Sequence, residues 1–185
     1  YVNGSLNVTW PDGMVEKRLT AFNGNLATYQ ITVNPEGHTL SEDGQTYTLK
    51  DTFSKNQAIN YGSIKVSVTN GSEEDVAYDF SGQTGTYAIP DGAKVVITYT
   101  TRVSGTVGNE ATFSNTAVVG RTEGGEFVPG PTATVSETEV ITPTGTDISG
   151  TGGVYSIDLF AYAEGHMEQG LEGAVFRIGE QVNAV

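Results

Sequence analysis

The sequence contains no cysteine, so no disulfide staples the fold and no thiol serves as nucleophile or metal ligand. Basic residues are scarce too, nine Lys and Arg against 22 Asp and Glu, for a net charge of −13. That balance repels phosphate backbones and anionic bilayers, so neither nucleic acid nor membrane insertion of this segment is expected. No apolar run is long enough to span a bilayer, and no basic-then-apolar leader opens at Tyr1. The chain starts in mid-pattern, which reads as an excised piece whose targeting segments lie elsewhere. His38 and His166, the two histidines, stand alone in polar stretches, so no metal and no cofactor are expected. Residues 72–75 (SEED) and Asp91-Gly92 are acidic but lack EF-hand spacing. Gly-x-Ser-x-Gly, His-Glu-x-x-His and phosphate-cradling glycine motifs are all missing, so turnover of an external substrate is not expected.

What the chain has in quantity is period-two alternation. Its 185 residues suffice for one full domain plus a fragment, or for two small domains. Strand-like runs fall at residues 5–10, 14–20, 26–34, 46–53, 63–69, 76–80, 85–89, 93–102 and 111–119. Turn signals such as Pro11-Asp12-Gly13, Asn70-Gly71 and Pro90-Asp91-Gly92 separate them. Only residues 51–58 (DTFSKNQA) have room for a helical turn. Regular strands with turn residues between them predict an all-β chain, an immunoglobulin-like β-sandwich with a partial second β domain. Residues 121–131 (RTEGGEFVPGP) read as a loop and 132–141 as one more strand. The expected division is a sandwich over 1–141, a linker over 142–153 (TPTGTDISGTGG), and a partial β domain over 154–185. In the last piece Tyr155, Ile157 and Leu159 alternate, and 170–178 adds a short strand. That piece is too short to bury a core of its own.

Parity along the strands singles out three polar residues. Lys65 and Lys94 alternate with their apolar neighbours, Lys50 lies opposite the apolar face of its strand, and Lys55 falls between strands. Lys17 alone shares a face with apolar residues, Val15 and Leu19. Asp51 likewise lies between Leu49 and Phe53, and Asn115 between Phe113 and Ala117. A lysine on such a face ordinarily snorkels to water, a core asparagine is ordinarily a satisfied amide, and Asp51 has an alternative as a buried turn-former. Together the three have a chemistry. A desolvated lysine becomes a neutral amine and a nucleophile. A desolvated aspartic acid stays protonated, hydrogen-bonds the amide carbonyl and shuttles a proton to departing ammonia. The product is an isopeptide bond between Lys17 and Asn115, with Asp51 as proton shuttle.

At these residues the sequence resembles the isopeptide-forming immunoglobulin-like domains of Gram-positive surface adhesins and pilins. VEKRLT (15–20) resembles the lysine strand, YQITVNP (29–35) the family's YxIxVNP run and YTLKDTF (47–53) its acid strand. YTTRV (99–103) and FSNTAV (113–118) resemble the closing strands with the reactive asparagine. The order Lys, Asp, Asn is that of the collagen-adhesin A-type, and the resemblance covers roughly residues 5–120. IDLFA (157–161) and LEGAVF (171–176) resemble the opening of a B-type domain. Ala161 stands where that type carries its reactive lysine, so no second bond is expected.

The resemblance implies a stalk or backbone module of a cell-surface adhesin or pilin, extracellular and wall-attached, whose partners are neighbouring domains of the same protein. The alternative is a ligand-binding adhesin domain recognising a host matrix protein or a glycan through aromatics such as Trp10, Tyr61 or Phe127.

Overall fold

Residues Lys94–Val103 show the rule by which the chain folds: Val95, Ile97, Tyr99, Thr101 and Val103 are buried, and the residues between them are not. The structure is a computed structural model and describes residues 9–40, 46–123, 125–142, 162–163 and 166–170. The chain divides into two units, Tyr1–Thr144 and Gly145–Val185. In the first unit the described strands are β1 (Val15–Asn23), β2 (Leu26–Val33), β3 (Thr46–Phe53), β4 (Gln57–Thr69), β5 (Tyr78–Ser81), β6 (Thr84–Pro90), β7 (Lys94–Val103), β8 (Glu110–Glu123) and β9 (Glu126–Val140).

They form two antiparallel sheets, ordered β1-β2-β7-β4 and β5-β6-β3-β8-β9. The first sheet contributes Tyr29, Ile31, Val33, Val95, Ile97 and Tyr99 to the core, and the second contributes Leu49, Phe53, Tyr87, Ile89, Phe113 and Val119. Each such side chain withdrawn from water stabilises the fold by about 1.5–3 kcal/mol. This is the expected immunoglobulin-like β-sandwich.

Several local expectations differ. Residues 121–131 are not a loop: β8 runs to Glu123, β9 starts at Glu126, and the two pair as a hairpin. Pro129 and Pro131 fit there because, among the described strands, β9 is an edge strand that pairs with β8 alone. Residues 51–58 hold no helical turn; the chain reverses through Ser54, whose carbonyl accepts from Gln57 N at 3.0 Å, and β4 starts at once. Of the strand expected at 5–10, Thr9 and Trp10 lie outside any strand, and the rest falls outside the described residues. Ser72 caps a 3-10 turn, Glu73–Asp75, through a reciprocal pair of side-chain bonds with Asp75.

In the second unit β10 (Tyr162–Ala163) pairs antiparallel with β11 (His166–Gly170), so the polar stretch at His166 opens a strand. The strands expected from Tyr155 to Leu159 and beyond Gly170, and Ala161, lie outside the described residues.

Candidate functional site

Lys17 lies on β1, an outer strand of its sheet, directly across from Ile31 and before the register shift between Leu19 and Ala21. Ahead of that bulge the alternation is intact, so the side chain points between the sheets, where it is 0% exposed. Residual exposure of the residue belongs to its main chain on the open edge. Asp51 lies on β3, the middle strand of the other sheet, paired with Gly85 on one side and Ala117 on the other. The missing side chain at Gly85 makes room for the Phe80 ring beside the acid: a Cβ there would stand 2.6 Å from Phe80 and 3.1 Å from Tyr87.

Asn115 lies on β8 opposite Phe53, one inward position along from Asp51's partner Ala117. Asp51 and Asn115 are thus diagonal neighbours on one face, and both are 0% exposed. All three residues expected to face inward do so, and the fold gathers them at one level of the core.

The group that joins them is Tyr99, one of the buried residues of β7. Its hydroxyl donates to Asp51 Oδ2, accepts from Asn115 Nδ2 at 2.5 Å, and accepts from Lys17 Nζ at 3.1 Å. A hydroxyl has one donor and two acceptor positions, and this one uses all three. Lys17 Nζ also donates to Asp51 Oδ1 at 2.5 Å, an ion pair across the two sheets. The expected hydrogen bond from Asp51 to the Asn115 carbonyl is not formed. Asn115 Oδ1 is buried without a partner, and the Tyr99 hydroxyl occupies the space between acid and amide.

Charge here is held in a nearly dry space. Burial pushes the Lys17 ammonium below its ordinary value, against the opposing pull of the Asp51 charge and hydrogen bond. Nζ also lies 5.1 Å and 5.4 Å from the ring centroids of Tyr29 and Tyr99, within cation–π range. Burial pushes the Tyr99 phenol well above its ordinary value, and the neighbouring Asp51 charge adds to that.

A second polar cluster braces the first. Gln57 Oε1 accepts from Tyr29 OH at 2.8 Å and from Thr101 Oγ1 at 2.7 Å. Its Nε2 donates to Ser54 Oγ at 3.0 Å and to the Ser114 carbonyl at 2.9 Å. The amide is fully used, and it fixes Tyr29, whose ring flanks Lys17, to the residue preceding Asn115.

Of the aromatics considered as ligand contacts, Trp10 and Tyr61 pack against neighbouring rings, and Phe127 lies with Lys50 on the outer face of its sheet. Trp10 stands edge-on to Tyr47 at 5.4 Å, and Tyr61 edge-on to Phe80 at 5.3 Å. The ring of Phe127 carries Lys50 Nζ 4.3 Å from its centroid. Each is half-buried.

No family model and no curated protein matches this sequence. Solved structures do match in fold. A collagen-binding domain from a Staphylococcus aureus adhesin superposes with a TM-score of 0.51 at 16% identity, over 69% of this chain and 98% of that one. The collagen-binding subdomain of the Enterococcus faecalis surface protein ACE gives 0.51 at 14% identity, over 70% and 99%. The collagen-binding domain of an Erysipelothrix rhusiopathiae surface protein, RspB, gives 0.51 at 19%, over 68% of this chain and 46% of that one. At such identities the likeness is one of fold: the sandwich is built as these adhesin domains are built.

Proposed function

We infer that this chain is a structural module of a bacterial surface adhesin or pilin, extracellular and wall-attached, stabilised by a self-formed isopeptide bond between Lys17 and Asn115. One observation carries the reading. A lysine, an aspartate and an asparagine from three strands are withdrawn from solvent and converge on one hydroxyl.

The chemistry follows from the contacts. Lys17 passes a proton to Asp51 Oδ1, and the neutral amine attacks Cγ of Asn115. A new C–N bond forms, the bond from Cγ to Nδ2 breaks, and ammonia leaves with a proton returned from the acid side. The event happens once per chain and consumes its own electrophile.

Such a bond acts where the sandwich is weakest. Among the described strands β1 hydrogen-bonds only to β2, whereas β8 lies between β3 and β9. Linking Lys17 to Asn115 ties the outer strand to the interior of the opposite sheet. β8 is not the last strand, because β9 follows it, so tension from the C-terminal side reaches the link across the β8–β9 ladder. Closing a loop of about 100 residues adds on the order of 5 kcal/mol through chain entropy. Unlike a disulfide, the bond resists reduction.

The test is the intact mass of the purified chain beside that of Asp51→Ala. The expected wild-type mass is lower than the sequence sum by one ammonia, and Asp51→Ala retains the full mass and unfolds at lower denaturant. A wild-type chain at full mass overturns the reading. So does an Asp51→Ala chain that loses ammonia and keeps wild-type stability.

A second reading, recognition of a host matrix protein, draws on the collagen-binding domains among the similar folds. The packing of Trp10 and Tyr61 against neighbouring rings weighs against it. A panel of matrix proteins including collagen separates the two, since a pure stalk binds none.

A further inference from the structure

We propose that the Tyr99 hydroxyl is a catalytic group of the Lys17–Asn115 crosslink, relaying a proton from Asp51 to the departing amide nitrogen. This rests on the reading above and supplies the step that Lys17, Asp51 and Asn115 leave open. Asp51 takes protons from Lys17 through Oδ1, and Tyr99 rather than Asn115 faces its Oδ2. An acid that receives a proton at one oxygen and touches no atom of the leaving group needs a carrier. Tyr99 oxygen is in hydrogen-bond contact with all three: the acid, the attacking nitrogen and the leaving nitrogen.

The protons balance along that path. The Lys17 ammonium gives one proton to Asp51, making a neutral amine beside a neutral acid. Attack on Cγ leaves a tetrahedral carbon bearing an anionic oxygen, a cationic Lys17 nitrogen and the original NH2. The carboxyl of Asp51 turns to present its proton to Tyr99; the Tyr99 hydroxyl then hands its own proton to that NH2 and is refilled from the acid, while the Asp51 oxygen now facing Lys17 takes the second proton. The oxygen reforms the carbonyl as ammonia leaves. Tyr99 begins and ends as a neutral phenol, Asp51 ends as a neutral acid, and no external oxidant or base is needed. A hydroxyl that gives and accepts in one step never rests as phenolate. Its burial agrees with this, because a dry site disfavours the anion.

Tyr29 supplies the internal control. Its phenol is buried beside the same lysine, but its hydroxyl donates to Gln57 Oε1, which also accepts from Thr101, rather than to any reacting atom. A packing role for buried tyrosines predicts similar losses at both positions. A relay predicts a loss at Tyr99 alone.

The experiment follows ammonia loss over time in the full chain made by cell-free synthesis, quenched in denaturant and read by intact mass. Wild type, Tyr99→Phe and Tyr29→Phe are run together, with folding checked by circular dichroism. The expected result is a Tyr99→Phe chain that folds and crosslinks about a hundredfold more slowly, the scale of a lost general acid. Tyr29→Phe stays within about threefold of wild type on the same scale. A Tyr99→Phe chain at the wild-type rate, or equal slowing in both variants, overturns the relay while leaving the crosslink standing. A wild-type chain that never loses ammonia overturns the crosslink itself. If Tyr99→Phe does not fold, Tyr99→3-fluorotyrosine keeps the hydroxyl and shape while acidifying it; a shifted rate supports the relay and an unchanged rate overturns it.

Discussion

Lys17 of β1 and Asp51 of β3 form a 2.5 Å ion pair across the two sheets, with side-chain exposures of 0% and 1%. Two opposite charges in so dry a place are costly unless each keeps its partner, because removing one strands the other. The pair is therefore a structural constraint in the folded chain and, on the proposed function, part of a reaction centre, and the two roles separate by substitution.

Lys17→Met removes both the nucleophile and the partner of Asp51, whereas Asn115→Ala removes only the electrophile. Both variants are expected to keep full mass. Lys17→Met is expected to be the less stable of the two by about 3–5 kcal/mol, the cost of an uncompensated buried charge. Urea unfolding midpoints of the two variants measure the difference. Equal midpoints would show that the pair contributes nothing to the fold.

Without the crosslink, the stability of Asn115→Ala carries the signature of Lys17. In the fold this amine releases its proton below 10.5, its value in the unfolded chain. Between those two points the unfolded chain holds more protons, so stability rises with pH through that window and levels off above it. The phenols of Tyr29, Tyr87 and Tyr99 act oppositely, being raised in the fold from 10.0, and subtract stability above that pH. Urea midpoints taken from about pH 7 to about pH 9.5 thus isolate the lysine. The expected rise is present in Asn115→Ala and missing when Lys17→Met is added.

Gln57 tests the bracing cluster. Gln57→Leu leaves Tyr29 OH and Thr101 Oγ1 without their acceptor and Ser114 O without its side-chain donor. Two or three orphaned buried groups correspond to a loss of about 2–4 kcal/mol. Denaturation in the Asn115→Ala background reads this directly, free of the crosslink.

Gly85→Ala probes the space beside Asp51. The added methyl would lie 2.6 Å from the Phe80 ring, which is itself packed edge-on to Tyr87 at 5.9 Å. Both rings are buried, so a loss of about 1–3 kcal/mol is expected, measured by the same midpoints. A neutral substitution would mean that the ring shifts freely.

The pattern of the site was legible because strand parity is a binary code. Lys17, Asp51 and Asn115 each occur among apolar residues at even spacing, and each side chain points between the sheets. Tyr99 escaped notice for the same reason. A tyrosine in the run Val95, Ile97, Tyr99 reads as core, and only its need for a hydroxyl partner marked it out. Gln57 was hidden by DTFSKNQA, whose polarity suggests a turn; its amide is buried only because three strands bring partners to it. The β8–β9 hairpin was obscured by RTEGGEFVPGP, where Gly and Pro ordinarily break strands. Here Gly120 falls beside a register shift and the prolines occupy an outer strand, both places that tolerate them.

The most direct measurement is a tandem mass spectrum of the tryptic digest. Trypsin cannot cut after a lysine whose amine is acylated. The expected product is therefore residues 1–18, uncut at Lys17, joined to residues 103–121 through Asn115 with one ammonia missing. Cleavage after Lys17 together with a free, full-mass 103–121 peptide would contradict the crosslink and leave an ordinary sandwich with a buried ion pair.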